Sequence, residues 1–253
     1  RLGGVQEPAS VLASLVCLVC HIWGVCRFWK ISEAASRLDG ASCLGSSASV
    51  RHAMFLWIGF GLVSINTWIA SAVFHARDTT GTERYDYFSA NALIVFMIYA
   101  FFARALVVPM ARISTSSLHT IWPIVVHAFL FVSALSLYAW HVSNMLTEFD
   151  YGYNLKVMIT ASVAYSLGWL LWAYAARHPQ AHVLFISTFF TWALTISLEV
   201  QDFPPWMGIV DAHALWHLTT PPLIVAWWQF VYEDFRWLLS LSERTDESVK
   251  KDA

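Results

Sequence analysis

The chain has 253 residues, of which 58% are hydrophobic, 16% aromatic and 13% charged, with a mean hydropathy of +0.55. Soluble domains carry about 25% charged residues, so this composition excludes an ordinary soluble domain and indicates an integral membrane protein. The net charge of −2 says little as a total and points to no nucleic-acid partner. Arg1 is not an initiator methionine and no basic signal-peptide region precedes an apolar core, so a fragment or mature form lacking its true N-terminus is expected.

A helix needs about 20 mostly apolar residues to cross roughly 30 Å of hydrocarbon. Seven stretches qualify: Ser10 to Phe28, Ala53 to His75, Asp86 to Val108, Leu118 to Trp140, Tyr153 to Ala176, Val183 to Val200 and Ala212 to Phe235. The expected architecture is an all-α seven-transmembrane helix bundle over residues 1–235, followed by a cytosolic tail, 236–253. Pro123 and the Pro221-Pro222 pair fall inside the fourth and seventh spans, where they kink the helix or free carbonyls. The Gly40 to Ser49 stretch reads as a flexible loop. Cys17, Cys20 and Cys26 lie in the first span and Cys43 in the loop, a placement that suits buried free thiols and no disulfide framework.

Basic residues favour the cytosolic side. With the N-terminus lumenal, only Arg1, Arg77, Arg84 and Lys156 fall on the lumenal side, and the other Lys and Arg are cytosolic. Span two ends on the side where spans three and seven begin. His75, Asp86, His213 and His217 therefore share one face of the membrane in either orientation.

Ser64, Thr67, Ser71 and His75 fall within about 80° of arc at 3.6 residues per turn. A polar stripe on a spanning helix should face the bundle interior, because polar groups facing lipid are penalised. His213 and His217 repeat the four-residue spacing, which lets two imidazoles of one helix bind one ion. Three imidazoles and an open fourth position describe a catalytic zinc site, and zinc lowers the pKa of a bound water to about 7. Asp86 either ligates the metal or holds the bound water and moves its proton. Ser71 is placed to donate a hydrogen bond to a developing oxyanion. Glu199, Asp202 and Asp211 are candidate carboxylates to orient a ligand imidazole, with interhelical hydrogen bonding as the alternative for Glu199 and Asp202. Arg77 and Arg84 are candidates to bind a lipid phosphate, or belong to a plain solvated loop. His127 is expected to be a buried, hydrogen-bonded histidine. His21, His52, His119, His141, His178 and His182 are expected at solvated or interfacial positions.

The pattern Ser71-x-x-x-His75, then Asp86, then His213-x-x-x-His217 in the last span resembles the CREST superfamily of membrane hydrolases, which includes alkaline ceramidases and adiponectin receptors. Gln6-Glu7-Pro8-Ala9-Ser10, Val73 to Thr79, Phe149 to Leu155, and Asp202-Phe203-Pro204-Pro205 leading to Asp211-Ala212-His213 narrow the resemblance to the post-GPI-attachment-to-proteins factor 3 family. The resemblance implies a Zn2+-dependent phospholipase A2-type enzyme that removes the sn-2 acyl chain from the phosphatidylinositol of GPI-anchored proteins. It places zinc ligands on His75, His213 and His217, with Asp86 and Ser71 in the superfamily's polar positions. It also implies a multi-pass protein of the endoplasmic reticulum or Golgi membrane with a lumen-facing active site. The family's cysteine-rich lumenal segment before the first span is a departure, since this chain begins almost at that span. Lys250-Lys251 near the C-terminus resembles a dilysine retrieval signal. Two other functions fit the same residues: amide hydrolysis of ceramide, and a seven-span receptor or lipid-binding protein whose zinc is structural.

Overall fold

The computed structural model describes residues 4–38, 48–109, 121–201, 203, 205–206 and 210–251. These form helices α1 (Pro8–Leu38), α2 (Ala48–Ala76), α3 (Thr80–Phe102), α4 (Ile121–Thr147), α5 (Tyr151–Ala175), α6 (Ala181–Phe190) and α7 (Ala212–Lys251). A π-helical turn, Ala103–Val107, extends α3, and another, Thr191–Ile196, carries α6 on into Ser197–Val200. Trp206 and Val210 form an isolated antiparallel β bridge.

Local chemistry sets several of the helix ends. The Thr79 side chain accepts from the Thr82 N–H while the Thr82 hydroxyl accepts from the Thr79 N–H, a reciprocal box that starts α3 three residues after α2 ends. Asp150 caps α5 through the Tyr153 N–H at 3.0 Å. Asp211 caps α7 through the Ala214 N–H at 2.8 Å. At the end of α5, Arg177 adopts φ 52°, with Arg177 N–H donating to the Tyr174 carbonyl and His178 N–H to the Ala173 carbonyl. This paired closure turns the chain into α6 and fixes the position of His178.

Helices α1 to α5 are long and apolar enough to cross a membrane. The apolar part of α6 is shorter, Ala181–Leu194. The 40-residue α7 is diluted by His213, His217, Thr219, Thr220, Pro221 and Pro222 in its first turns, and its later turns bury Trp228, Phe230, Val231, Tyr232 and Phe235. In contrast, α4 presents Trp122, Phe129, Phe131, Val132 and Leu135 on its outer surface. Such a surface is suited to lipid, since every backbone polar group along it is satisfied within the helix.

The core lies where α2 packs on α1 and α1 packs on α7. Trp57, Trp169, Trp228 and Tyr232 are buried in this core: Trp57 lies tilted against Trp169 and edge-on to Trp227, and Trp228 stacks on Tyr232. Gly24 gives the Trp228 indole its place, because a Cβ at that position would occupy the ring's own space. Gly61 does the same for Val25.

The expected inward stripe on α2 is present, with Ser64, Thr67, Ser71 and His75 all buried. Ser64 donates to the Phe60 carbonyl at 2.8 Å, and Thr67 reaches both the Val63 and Ser89 carbonyls at 3.0 Å, tying α2 to α3. The stripe thus delivers His75 to the interior at the last turn of α2.

Candidate metal centre

His75 ends α2, and His213 and His217 occupy the first two turns of α7, so the site forms where those two helix ends meet. His75 Nε2 lies 3.0 Å from His217 Nε2, and His217 Nε2 lies 3.1 Å from His213 Nε2. One nitrogen of each imidazole falls within 4.8 Å of the other two. His75 and His217 are buried and His213 is half-buried.

The far side of His75 is held from α1. Its Nδ1 lies 2.7 Å from Glu7 Oε2, so the proton sits on Nδ1 and the Nε2 lone pair faces the other histidines. His75 holds the half-exposed Glu7 carboxyl below the usual carboxylate range by hydrogen bonding to it, against the partial burial that pushes it up. His217 Nε2 therefore sits between two neighbouring nitrogens, one of them a lone pair. No assignment of neutral tautomers satisfies both contacts with protons alone. A cation satisfies all three at once. Zinc–imidazole bonds of about 2.0–2.1 Å in tetrahedral array put ligand nitrogens about 3.3 Å apart, close to the spacing seen. The residues present fit a zinc ion.

Proline chemistry supports the placement of His217. Pro221 has no N–H for the His217 carbonyl, and the Cys17 thiol of α1 approaches that carbonyl at 3.9 Å instead. Thr219 and Thr220 both return their hydroxyls to the Trp216 carbonyl at 2.9 Å. The rings of Trp216 and Trp68 pack on His217, with centroids 4.4 and 5.5 Å away. The same two tryptophans wall a cavity of about 330 Å³ that continues between α3, α5, α6 and α7, past Leu93, Met97, Ile159 and Ile224. Its size falls in the range of small-molecule and lipid-chain pockets.

The other expected site residues divide. Ser71 is buried one turn before His75, with its Oγ 2.9 Å from Ser14 Oγ of α1. Ser14 gives its own proton to the Ser10 carbonyl at 2.8 Å, so Ser71 is the donor between the two hydroxyls. Its proton points to α1. Asp86 is half-buried in the second turn of α3 and is not among the mutually close metal-ligand atoms. The adjacent Tyr87 touches Phe74, the neighbour of His75. Asp211 spends an oxygen on capping α7. Asp202 and the Glu199 side chain lie outside the described residues, as do Cys43 and His119. Arg77 is exposed directly after α2, and Arg84 is half-buried in α3, its buried Nε lacking a hydrogen-bond partner among the described residues.

His127 is hydrogen-bonded as expected, to the Tyr99 hydroxyl at 2.7 Å, but is half-buried rather than buried. Three other histidines correct the sequence reading. His21 (3% exposed), His141 (5%) and His178 (4%) are buried rather than interfacial, each beside a polar partner: the Trp228 indole N–H, Asn154 and Asp234. Cys17 is buried, but Cys20 is only half-buried and Cys26 is exposed. Glu7 is the site residue that sequence reasoning missed. An acid directly before a proline at the first helical position reads as an ordinary helix start, and nothing local shows that it reaches across to α2.

Five helices able to cross a membrane, around a buried cluster of three histidines that can hold a metal, define a multi-pass helical membrane protein with a candidate metal centre. The chain belongs to the Per1-like family, whose model matches residues 1–235. It is 33% identical over 240 residues to the bovine "GPI-specific phospholipase A2-like PGAP3", covering 94% of this chain and 66% of that protein. The human protein of the same name is 34% identical over 242 residues, with 94% and 66% covered. The Drosophila melanogaster "Post-GPI attachment to proteins factor 3" is 31% identical over 233 residues, with 91% and 63% covered. The chain spans about two thirds of the length of these relatives.

Proposed function

We propose that this chain is a zinc-dependent lipid ester hydrolase of GPI-anchor remodelling, removing the sn-2 acyl chain from the phosphatidylinositol of GPI-anchored proteins. The observation that carries this reading is that Trp68 and Trp216, whose rings pack on His217 of the three-histidine cluster, also wall an apolar cavity. A metal site alone suits many roles, but one that adjoins a chain-sized apolar cavity suits a lipid substrate. The names of the relatives supply the substrate class. In this reading the chain crosses the membrane seven times, N-terminus lumenal, with the histidines at the lumenal face of the endoplasmic reticulum or Golgi membrane.

His75, His213 and His217 hold the zinc ion, which supplies Lewis-acid polarisation and activates water near neutral pH when bound. The cavity takes the acyl chain and excludes water from the ester. Asp86, outside the ligand cluster, receives the proton that the attacking water gives up and returns it to the departing glycerol oxygen. The Ser71 hydroxyl turns from Ser14 to the ester carbonyl oxygen as negative charge develops there. Arg84 and Arg77 bind the inositol phosphate, and the unpartnered Arg84 Nε is a donor ready for it.

The test offers purified protein a GPI-lipid and, separately, ceramide, with and without a zinc chelator, and measures released fatty acid. The expected result is fatty acid from the GPI-lipid alone, lost on chelation and restored by added zinc. Release unaffected by chelation overturns the metal role. Turnover of ceramide without the GPI-lipid overturns the substrate. Bound zinc with neither lipid hydrolysed would leave a non-enzymatic lipid-binding protein.

A further inference from the structure

The segment leading into α1 is docked onto the end of α2. Gln6 N–H donates to the Ala76 carbonyl at 3.3 Å, and Glu7 N–H donates to the His75 carbonyl at 3.1 Å. The Gln6 side-chain oxygen also accepts from the Asp78 N–H. The last carbonyls of a helix have no partner within it, so this strap supplies two of the donors that the end of α2 lacks. It also brings Glu7 to His75 twice, once through the backbone and once through the carboxylate at 2.7 Å. A carboxylate delivered by its own backbone loses little freedom when it binds. The imidazole it grips cannot rotate about its ring axis without breaking that bond.

We propose that Glu7 is a positioning residue for the metal centre, holding His75 with Nδ1 protonated and Nε2 aimed at the ion, so that docking of the Gln6–Glu7 strap sets the metal affinity. The inference rests on the zinc reading above. The physical reason is the usual one for a ligand imidazole: a carboxylate on the far nitrogen fixes tautomer and ring orientation and makes the metal-facing nitrogen more basic. His213 and His217 share one helix and hold their mutual spacing through its backbone. His75 comes from a different helix, and its ring direction rests on Glu7. Glu7 touches neither lipid nor metal in this scheme and acts through His75.

The experiment compares wild type, Glu7→Ala and Glu7→Gln in detergent, reading zinc affinity by chelator competition and the visible spectrum after cobalt substitution. Glu7→Ala is expected to weaken zinc binding 10- to 100-fold and to alter the cobalt spectrum. Glu7→Gln keeps an oxygen acceptor for Nδ1–H without the charge, and is expected to fall between the two. The strap's backbone bonds survive in both variants, so thermal unfolding of the metal-free protein should stay at the wild-type value. Wild-type affinity and an unchanged cobalt spectrum in Glu7→Ala overturn the inference while the zinc centre stands. A metal-free midpoint lowered in step with affinity, in both variants alike, reduces Glu7 to a fold contact and overturns it too. A wild-type chain that takes up no zinc overturns the metal centre itself, and the inference with it.

Discussion

Two buried polar clusters sit about 30 Å apart along α7, at 1.5 Å per residue, and they are built differently. Near the start, three imidazoles crowd their nitrogens together with one carboxylate behind them. Further along, Arg104 in the π turn after α3 makes a two-pronged ion pair with Asp234, Nε to Oδ2 at 2.8 Å and Nη2 to Oδ1 at 2.7 Å. His178 closes on the same carboxylate at 3.4 Å, and the guanidinium lies over the rings of Trp172 and Trp237. Arg104 and Asp234 satisfy each other in charge and through two hydrogen bonds. In the histidine cluster His217 Nε2 has two imidazole nitrogens to satisfy and at most one proton to do it with. A closed buried pair is a structural fastener, whereas an unresolved one marks a place where a ligand completes the chemistry.

The largest effect should come from breaking the unresolved cluster. His217→Ala removes the central nitrogen, and zinc content and lipid hydrolysis should both fall to background. The unfolding midpoint of the metal-free protein should move far less. Elemental analysis and the fatty-acid assay read the first two, and a thermal melt in detergent reads the third. A variant that keeps zinc and activity would mean that the cluster is as structural as its counterpart.

The converse holds for the fastener. Asp234→Asn leaves the Arg104 guanidinium buried without its counter-charge and should cost about 3–5 kcal/mol, seen as a lowered midpoint. The folded fraction should still bind zinc at the wild-type stoichiometry. Selective loss of zinc from protein of unchanged stability would erase the distinction between the two ends. Between them runs the seam where Gly24 of α1 meets Trp228 of α7. Gly24→Ala should cost about 1–3 kcal/mol by overpacking. Measured by the same melt, that loss should appear with zinc affinity changed little, because the seam touches neither cluster.

Legibility in the sequence followed the range of each interaction. The α2 stripe was visible because Ser64, Thr67, Ser71 and His75 recur at helical spacing, and burial of all four follows from that spacing alone. The His213–His217 pair was visible for the same reason. Long apolar runs gave the helices, with the apolar part of α6 shorter than a span and α7 broken by polar residues and prolines in its first turns. Glu7 was invisible as a site residue, since its partner is 68 positions away and its local context is a helix start. Ser71 was placed correctly by the stripe, but the direction of its proton depended on Ser14 of another helix. The Arg104–Asp234 pair, 130 residues apart, had no local signature. His178 looked interfacial because it follows a helix end, and the left-handed turn at Arg177 carries it inward instead.

By itself the sequence determined a helical membrane protein with three histidines and an aspartate near the ends of apolar helices, because hydropathy and helical periodicity are properties of the chain read along its length. Only the tertiary structure decided that three of those residues close to within reach of one ion, that Asp86 stands outside them, and that Glu7 holds one from behind. Those facts depend on how α1, α2 and α7 pack. That packing is set by volumes and contacts between residues far apart in the chain, such as Gly24 and Trp228, which no local pattern encodes.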